Sequence, residues 1–147
     1  EIILVAQNGQ VVKFRVGELR TASRSSGGVC GIRLSGDRVV GMGAVFPDAY
    51  LLTVTEKGFG KLTSVEKMPL HKRGGKGIRA HRVSDKTGTV IAGKLVSKDS
   101  KYLVMLSAKG NIQRIPVEQV SVQGRNSRGI HLMTLTRGDS VISTAVE

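Results

Sequence analysis

Acidic residues, aromatics, cysteine and proline are all scarce in this chain, and each shortage excludes something. Asp and Glu number 11 against 23 Lys and Arg, which leaves a net charge of +12. An excess of that size on one domain points to a polyanion as partner: DNA, RNA or an acidic membrane. Trp is absent, and only 3 Phe and 2 Tyr are present. A single-strand binder stacks bases on aromatic platforms, so this composition favours a duplex reader that works through phosphates. The one cysteine, Cys30, allows neither an internal disulfide nor a cysteine-based zinc cluster and reads as a small packed residue. No apolar run approaches the ~18 residues of a membrane span. The first residues, Glu1 to Ala6, lack the basic leader and cleavage pattern of a signal peptide. The expectation is a cytoplasmic, reducing setting with no membrane partner.

Glycine is abundant where proline is not, with 19 Gly to 3 Pro. Glycine spread along a chain without proline marks tight turns rather than a linker. The 147 residues suffice for one ordinary domain with a sound core.

The chain repeats itself. An apolar run, then a polar residue and Gly, then a basic residue, occurs at Leu4–Gly9 leading to Lys13. It recurs at Leu52–Gly58 leading to Lys61 and at Val104–Gly110 leading to Arg114. A second marker follows each: Gly31-Ile32-Arg33, Gly77-Ile78-Arg79 and Gly129-Ile130-His131. A period near 50 residues indicates repeated supersecondary units. Their content is strand. Val11–Val16, Tyr50–Val54, Val90–Val96, Tyr102–Leu106 and Val141–Val146 are short, β-branched and bounded by turn signals. Asn8-Gly9, Lys57-Gly58 and Lys109-Gly110 stand where a tight hairpin needs positive φ. Helical periodicity is missing; Leu62–Leu70 comes nearest and Pro69 stops it. The expectation is an all-β fold of three four-stranded antiparallel blades, residues 1–48, 49–100 and 101–147, arranged as in a propeller.

Charge is concentrated in the middle unit, at +7 against +2 and +3 for its neighbours. Lys61, Lys67, Lys72, Arg73, Lys76, Arg79 and Arg82 lie close in sequence with only Glu66 among them. Gly74-Gly75 lets backbone approach a surface and leaves its N–H groups unshielded. Phosphate oxygens accept from such amides and from the flanking Lys72, Arg73 and Lys76 alike. Equivalent loops offer less: Arg24 before Gly27-Gly28 in the first unit, and Arg125 and Arg128 in the third. The post-turn Lys13, Lys61 and Arg114 are weighed evenly between DNA contact and turn solubility.

Other motifs fail. Gly88–Lys94 has phosphate-loop spacing, but Leu95 stands where Ser or Thr must hold magnesium and the segment reads as strand. His71, His81 and His131 lack metal-ligand spacing and cysteine partners. Tyr50 and Tyr102 open apolar strands and read as half-buried packing. No catalytic centre and no cofactor are expected in the chain.

The string His71-Lys72-Arg73-Gly74-Gly75-Lys76-Gly77 resembles the seven-residue box of the DNA gyrase A C-terminal domain family: Gln, basic, Arg, Gly, Gly, basic, Gly. Only His71, in place of Gln, departs from it. Thr55–Lys61 is similar to the opening of a blade in that family, and Val122–Gly129 to the loop of its last blade. The resemblance spans nearly the whole chain and is best to the C-terminal half of a domain that normally has about six blades. It implies a β-pinwheel with His71 to Gly77 as the principal DNA contact. The family's best box usually lies in the first half, whereas here the good box is in the middle unit.

The resemblance further implies binding and bending of duplex DNA without sequence preference, in support of negative supercoiling by the whole enzyme. It implies two protein partners, the rest of the gyrase A chain and the gyrase B chain. It also implies a nucleoid-associated place, with ATP and magnesium handled elsewhere in that enzyme. The C-terminal domain of topoisomerase IV is the nearest alternative, although its boxes are generally degraded. A propeller-like protein-interaction module and an RNA-binding barrel are the alternatives from other classes. Three blades cannot close a six-bladed disc, so the open edges must either self-associate or be relieved by strand exchange between blades.

Overall fold

The computed structural model describes residues 1–147 as three twisted antiparallel sheets packed face to face. Eleven strands follow one another in the chain. They are β1 (Ile2–Ala6), β2 (Gln10–Phe14), β3 (Val39–Ala44), β4 (Tyr50–Thr55), β5 (Phe59–Ser64), β6 (Ile78–Arg79), β7 (Val90–Val96), β8 (Tyr102–Ser107), β9 (Ile112–Pro116), β10 (Ile130–His131) and β11 (Val141–Val146). The five strands expected from sequence are all present, the first ending at Phe14 rather than Val16. Leu62–Leu70 is the end of β5 followed by one 3-10 turn, Val65–Lys67. The fold is all-β, and no helix is long and apolar enough to cross a membrane.

Each hairpin closes on a glycine with positive φ: +87° at Gly9, +87° at Gly58 and +86° at Gly110. The amide of Gly9 donates to the carbonyl of Ala6 at 3.0 Å, so the loop is a turn followed by a left-handed residue, a standard short hairpin.

Sheet order corrects the expectation that every blade has four strands. The orders are β3-β1-β2-β6, β10-β5-β4-β7 and β11-β8-β9. Each four-stranded sheet takes its outermost strand from the following unit. Ile78 pairs with Val11 and Arg79 with Gln10, while Ile130 pairs with Gly60 and His131 with Phe59. The third sheet has three strands, and β9 is an open edge with Ile112 69% exposed. Strand exchange, one of the two ways expected to relieve the edges, joins the units.

The two repeated sequence markers are the halves of this joint. The carbonyl of Gly9 accepts from the amides of Ala80 (2.8 Å) and His81 (3.1 Å), and that of Gly58 accepts from Leu132 and Met133 in the same way. Gly77 has φ +78° and lies so close to β2 that a Cβ would overlap the Val11 carbonyl; Gly129 meets Gly60 likewise. Gly110, by contrast, has no atom within 4 Å of where a Cβ would stand.

Alternation along the strands fills the spaces between sheets. Ile3, Val5 and Val11 of the first sheet pack with Leu51, Val65 and Val90 of the second unit. Leu52, Val54 and Leu62 on the opposite face pack with Leu103, Met105, Val117 and Val141 of the third. The innermost strands β3, β7 and β11 neighbour one another, and β6 and β10 lie at the outer ends of their sheets. The loops that lead into β6 and β10 therefore form the rim.

Candidate nucleic-acid interface

Residues 71–77 form the rim loop that leads into β6. His71, Lys72, Gly75 and Lys76 are exposed, while Arg73, Gly74 and Gly77 are half-buried. Backbone hydrogen bonds dock the loop on the first unit: His71 donates to the Lys13 carbonyl (2.8 Å), Gly74 to Gly31 (2.6 Å), and the Arg33 amide to Gly75 (2.8 Å). The Arg73 guanidinium donates to the Cys30 carbonyl at 3.1 Å. A cleft of about 530 Å³ lies against the loop, with Val12 as its one apolar wall. The expected ammonium groups stand around the loop, but the Gly74 amide is taken by the Gly31 carbonyl and the Arg73 guanidinium is partly committed to holding the loop, so only Gly75 of the glycine pair is exposed.

The third unit's loop, 123–129, is equivalent by alignment of Gly129 with Gly77. Arg125 stands at the place of Arg73 and does the same thing, donating to the Arg79 carbonyl at 3.1 Å. The Arg82 amide donates to the Ser127 carbonyl at 3.0 Å. Arg79, Arg82 and Arg128 are exposed and Arg125 is half-buried. Lys67 is exposed at the end of its 3-10 turn, and Arg24 is exposed in the first unit's loop.

The post-turn basic residues do not behave as one set. Lys61 is fully buried, and its Nζ donates to the carbonyls of Gly124 (2.6 Å) and Arg125 (3.2 Å). Lys13 is also buried; its Nζ donates to the Val65 carbonyl at 3.1 Å and lies 3.7 Å from Glu1. Neither is placed to contact DNA on the rim. Arg114 is exposed but paired with Glu147 at 2.8 Å and stacked 3.5 Å over the Tyr102 ring.

The pairing register explains the mismatch. Val12 faces Leu4, Lys61 faces Thr53 and Gln113 faces Met105, so these three residues are equivalent, each three places after its turn glycine. Lys13 and Arg114 come four places after theirs, and one residue flips a side chain to the other face of the sheet. Lys13 points to the second unit and is covered by it. Arg114 stays exposed and pairs with Glu147.

Burial, and after it the charge of Arg125, lower the Lys61 ammonium from 10.5 to about 8. Beside it His81 is fully buried, with Nδ1 2.7 Å from the Thr53 hydroxyl and no partner at Nε2. Burial first, then Lys61, lower its imidazole from 6.5 to about 4, so the ring is neutral at pH 7. The sequence marks His81 only as a failed metal ligand, and its structural place was missed. Cys30 is exposed, against the expectation of a packed residue, because it lies in the long strandless stretch between β2 and β3. Tyr50 and Tyr102 open β4 and β8 as expected, and Gly88–Lys94 runs into β7 as strand.

Most of the charge on the rim is unpaired, although the Glu18 carboxylate reaches the box loop and accepts from the Arg73 amide at 3.4 Å. The chain has only two ion pairs, Lys13 with Glu1 and Arg114 with Glu147. Lys67, Lys72, Lys76, Arg79, Arg82 and Arg128 are in neither.

A family model described as the DNA gyrase C-terminal domain, beta-propeller, matches three successive stretches, residues 1–45, 49–97 and 101–146. The DNA gyrase A protein of Dehalogenimonas lykanthroporepellens is 40% identical, over 98% of this chain and 18% of its own length. That of Ureaplasma parvum is 37% identical, over 99% of this chain and 17% of its own. The chain thus spans under a fifth of these relatives. Among solved structures, a DNA gyrase A C-terminal domain superposes with a TM-score of 0.88 at 31% identity, covering 99% of this chain and 50% of that one. A topoisomerase IV C-terminal domain superposes with a TM-score of 0.89 at 21% identity, a likeness of fold alone.

Proposed function

This chain belongs to the DNA gyrase C-terminal domain family, and we propose that it binds duplex DNA along its outer rim and bends it, as part of a gyrase A protein. The observation that carries this reading is the rim itself. Lys72 and Lys76 are exposed around glycine backbone, Lys67, Arg79, Arg82 and Arg128 stand exposed near them, and none has a carboxylate partner. Phosphate contacts of this kind give affinity without sequence reading. No α-helix is present to enter a major groove. The mechanism is backbone contact traded against DNA deformability. Smooth bending of a 20–30 bp site by 40–90° costs of order 1–6 kcal/mol, which several phosphate contacts must offset.

Within the whole enzyme, the bent segment would be handed to the cleavage machinery in one sense, supporting negative supercoiling. The remainder of the gyrase A chain and the gyrase B chain would then be its partners, and the cytoplasmic nucleoid its place. Residues 1–48, 49–100 and 101–147 would act as three consecutive steps of the DNA path. Gyrase is preferred to topoisomerase IV because the near-intact box accompanies higher identity to gyrase sequences. The bare edge of β9 would pair with a second copy at high concentration, which sedimentation at graded concentrations measures.

Duplex affinity measured against salt tests the reading. The expected log–log slope is steep, near −0.9 for each phosphate neutralised, with no preferred sequence. Salt-independent affinity, or a sequence preferred by several kcal/mol, contradicts it.

A further inference from the structure

The two joints between units carry a cleft at the same place, and only one of the two is largely filled from within. Between the first and second units the cleft is about 270 Å³, with Glu1, Lys13, Phe46 and Pro47 in its walls. Between the second and third it is about 700 Å³, inside the roughly 300–1,000 Å³ of small-molecule sites. The pairing register makes the walls correspond. Leu4 faces Val12 and Thr53 faces Lys61, so Glu1 is matched by Tyr50 and Lys13 by Leu62. The Val65 amide donates to the Ala49 carbonyl and the Val117 amide to the Lys101 carbonyl. Val65 is therefore matched by Val117, and the connection 45–49 by 97–101.

What fills the smaller cleft is an alkylammonium. The Lys13 stem is buried across the joint, and its Nζ meets the Val65 carbonyl at 3.1 Å and Glu1 at 3.7 Å. At the larger cleft Leu62 stops at Cδ, where a lysine continues through Cε to Nζ. Phe46 and Pro47 give way to Lys98 and Asp99, both exposed. The Val117 carbonyl keeps its turn bond from the Val120 amide, as Val65 keeps that from Met68, but no side chain brings it a second donor. Glu118 borders the larger cleft as Glu66 borders the smaller. Lys98 and Lys101 on its lip are offset in charge by Asp99 and Glu118.

We propose that the larger cleft binds a small linear alkylamine, whose carbon chain takes the place of the missing lysine stem and whose ammonium donates to the Val117 carbonyl beside Tyr50 and Glu118. An aromatic ring such as that of Tyr50 attracts a cation to its face, and a carboxylate strengthens the hydrogen bonds of an ammonium. Binding braces the second unit against the third as Lys13 braces the first against the second. The cleft shares no residue with the 71–77 loop, and the proposal does not depend on the DNA-binding reading.

Amide NMR spectra of the chain, titrated with pentylamine, test it, with pentanol and pentanoate as probes of equal length. Expected are shifts confined to residues 97–101 and 117–122 that saturate at millimolar pentylamine, the affinity so few atoms allow. Pentanol is expected to bind about tenfold more weakly, the worth of one hydrogen bond from a charged group, and pentanoate not to bind. Leu62→Lys supplies the missing side chain from within and is expected to abolish pentylamine binding while keeping the melting temperature. Glu118→Gln changes only an exposed side chain and decides the matter should the lysine variant fail to fold. It is expected to weaken pentylamine about threefold, as for one exposed ion pair, and to leave pentanol unchanged.

The proposal is overturned by equal binding of pentylamine and pentanol, by tighter binding of pentanoate, or by shifts scattered over the carboxylates of the chain. It is equally overturned by a folded Leu62→Lys chain that binds pentylamine as the unaltered chain does, or by Glu118→Gln with unchanged affinity.

Discussion

The second unit's rim loop, residues 71–77, and the third unit's, 123–129, occupy equivalent places and share two backbone bonds, yet they differ in what is added to them. The shared bonds are His71 to Lys13 and Arg33 to Gly75 in one, and Gln123 to Leu62 and Arg82 to Ser127 in the other. The first carries Lys72, Lys76 and a Gly pair. It is docked by backbone hydrogen bonds to Lys13, Gly31 and Arg33, and a cleft of about 530 Å³ lies against it. The second has Asn126 and Ser127 in place of the Gly pair and is tied from below by the Lys61 ammonium. The Lys61 ammonium and its two carbonyl partners are therefore an extra tie that only the third unit's loop has.

The two loops also share the glycine that ends them, and breaking it gives the largest expected effect. Gly77→Ala places a methyl group against the Val11 carbonyl at a φ of +78°. The left-handed conformation alone costs roughly 1–2 kcal/mol, and with the overlap the loss is expected to reach about 3 kcal/mol or more. Gly110→Ala shares the left-handed φ but meets no atom within 4 Å, so it is expected to lose only about 1 kcal/mol. Denaturant midpoints at equal m-value compare the two. Equal losses would show that turn conformation, and not the joint between units, makes these glycines necessary.

The next effect belongs to the second unit's His81 and Lys61, which are buried beneath the third unit's loop. His81 is neutral in the fold with its pKa lowered to about 4, and ordinary, near 6.5, when unfolded. Between those values the unfolded chain binds more protons, so stability rises with pH across the window and falls as pH drops from 6.5 to 4. The loss is on the order of 3 kcal/mol at 1.36 kcal/mol per pH unit. Lys61, lowered to about 8, acts in the same sense between pH 8 and 10.5. Melting curves across pH 4–7 measure the first window, and His81→Gln is expected to flatten it.

The smallest effect is expected at Arg114. Its pair with Glu147 is exposed on both sides, and such pairs contribute under about 1 kcal/mol. Arg114→Ala is expected to change the DNA salt slope by less than one phosphate's worth, because that charge is already neutralised. A full loss of about 0.9 would place it in the DNA path.

The parts of this molecule legible in sequence were those written in short-range pattern. Short β-branched apolar runs bounded by turn signals announced β4, β7, β8 and β11, and the turn glycines announced the hairpins β1–β2, β4–β5 and β8–β9. The exchanged strands were not legible as strands, because Ile78–Arg79 and Ile130–His131 are two residues each and two residues have no period. Their signature was nonetheless visible as the repeated Gly-Ile marker, whose spacing recorded a joint without saying what it joined. The box stood out because charge and glycine coincide there.

Lys61 was misread for a reason of register. Counting from Gly58 puts it three residues on, while Lys13 and Arg114 lie four residues beyond Gly9 and Gly110. That single step moves it from one sheet face to the other. Comparison of those offsets was the signal that could have found it.

The central claim is that the box loop holds DNA where it bends. Bending of a fluorescently end-labelled duplex by saturating chain, followed by energy transfer, tests it most directly. Lys72→Ala/Arg73→Ala/Lys76→Ala is to be compared with Arg15→Ala/Arg20→Ala/Arg38→Ala, three arginines of the first unit with the same change of charge. The account predicts that the box variant still binds but loses most of the bend, whereas the first-unit variant bends DNA nearly as the unaltered chain does. Equal losses in the two variants would contradict it, since the box would then be only one part of a diffuse basic rim.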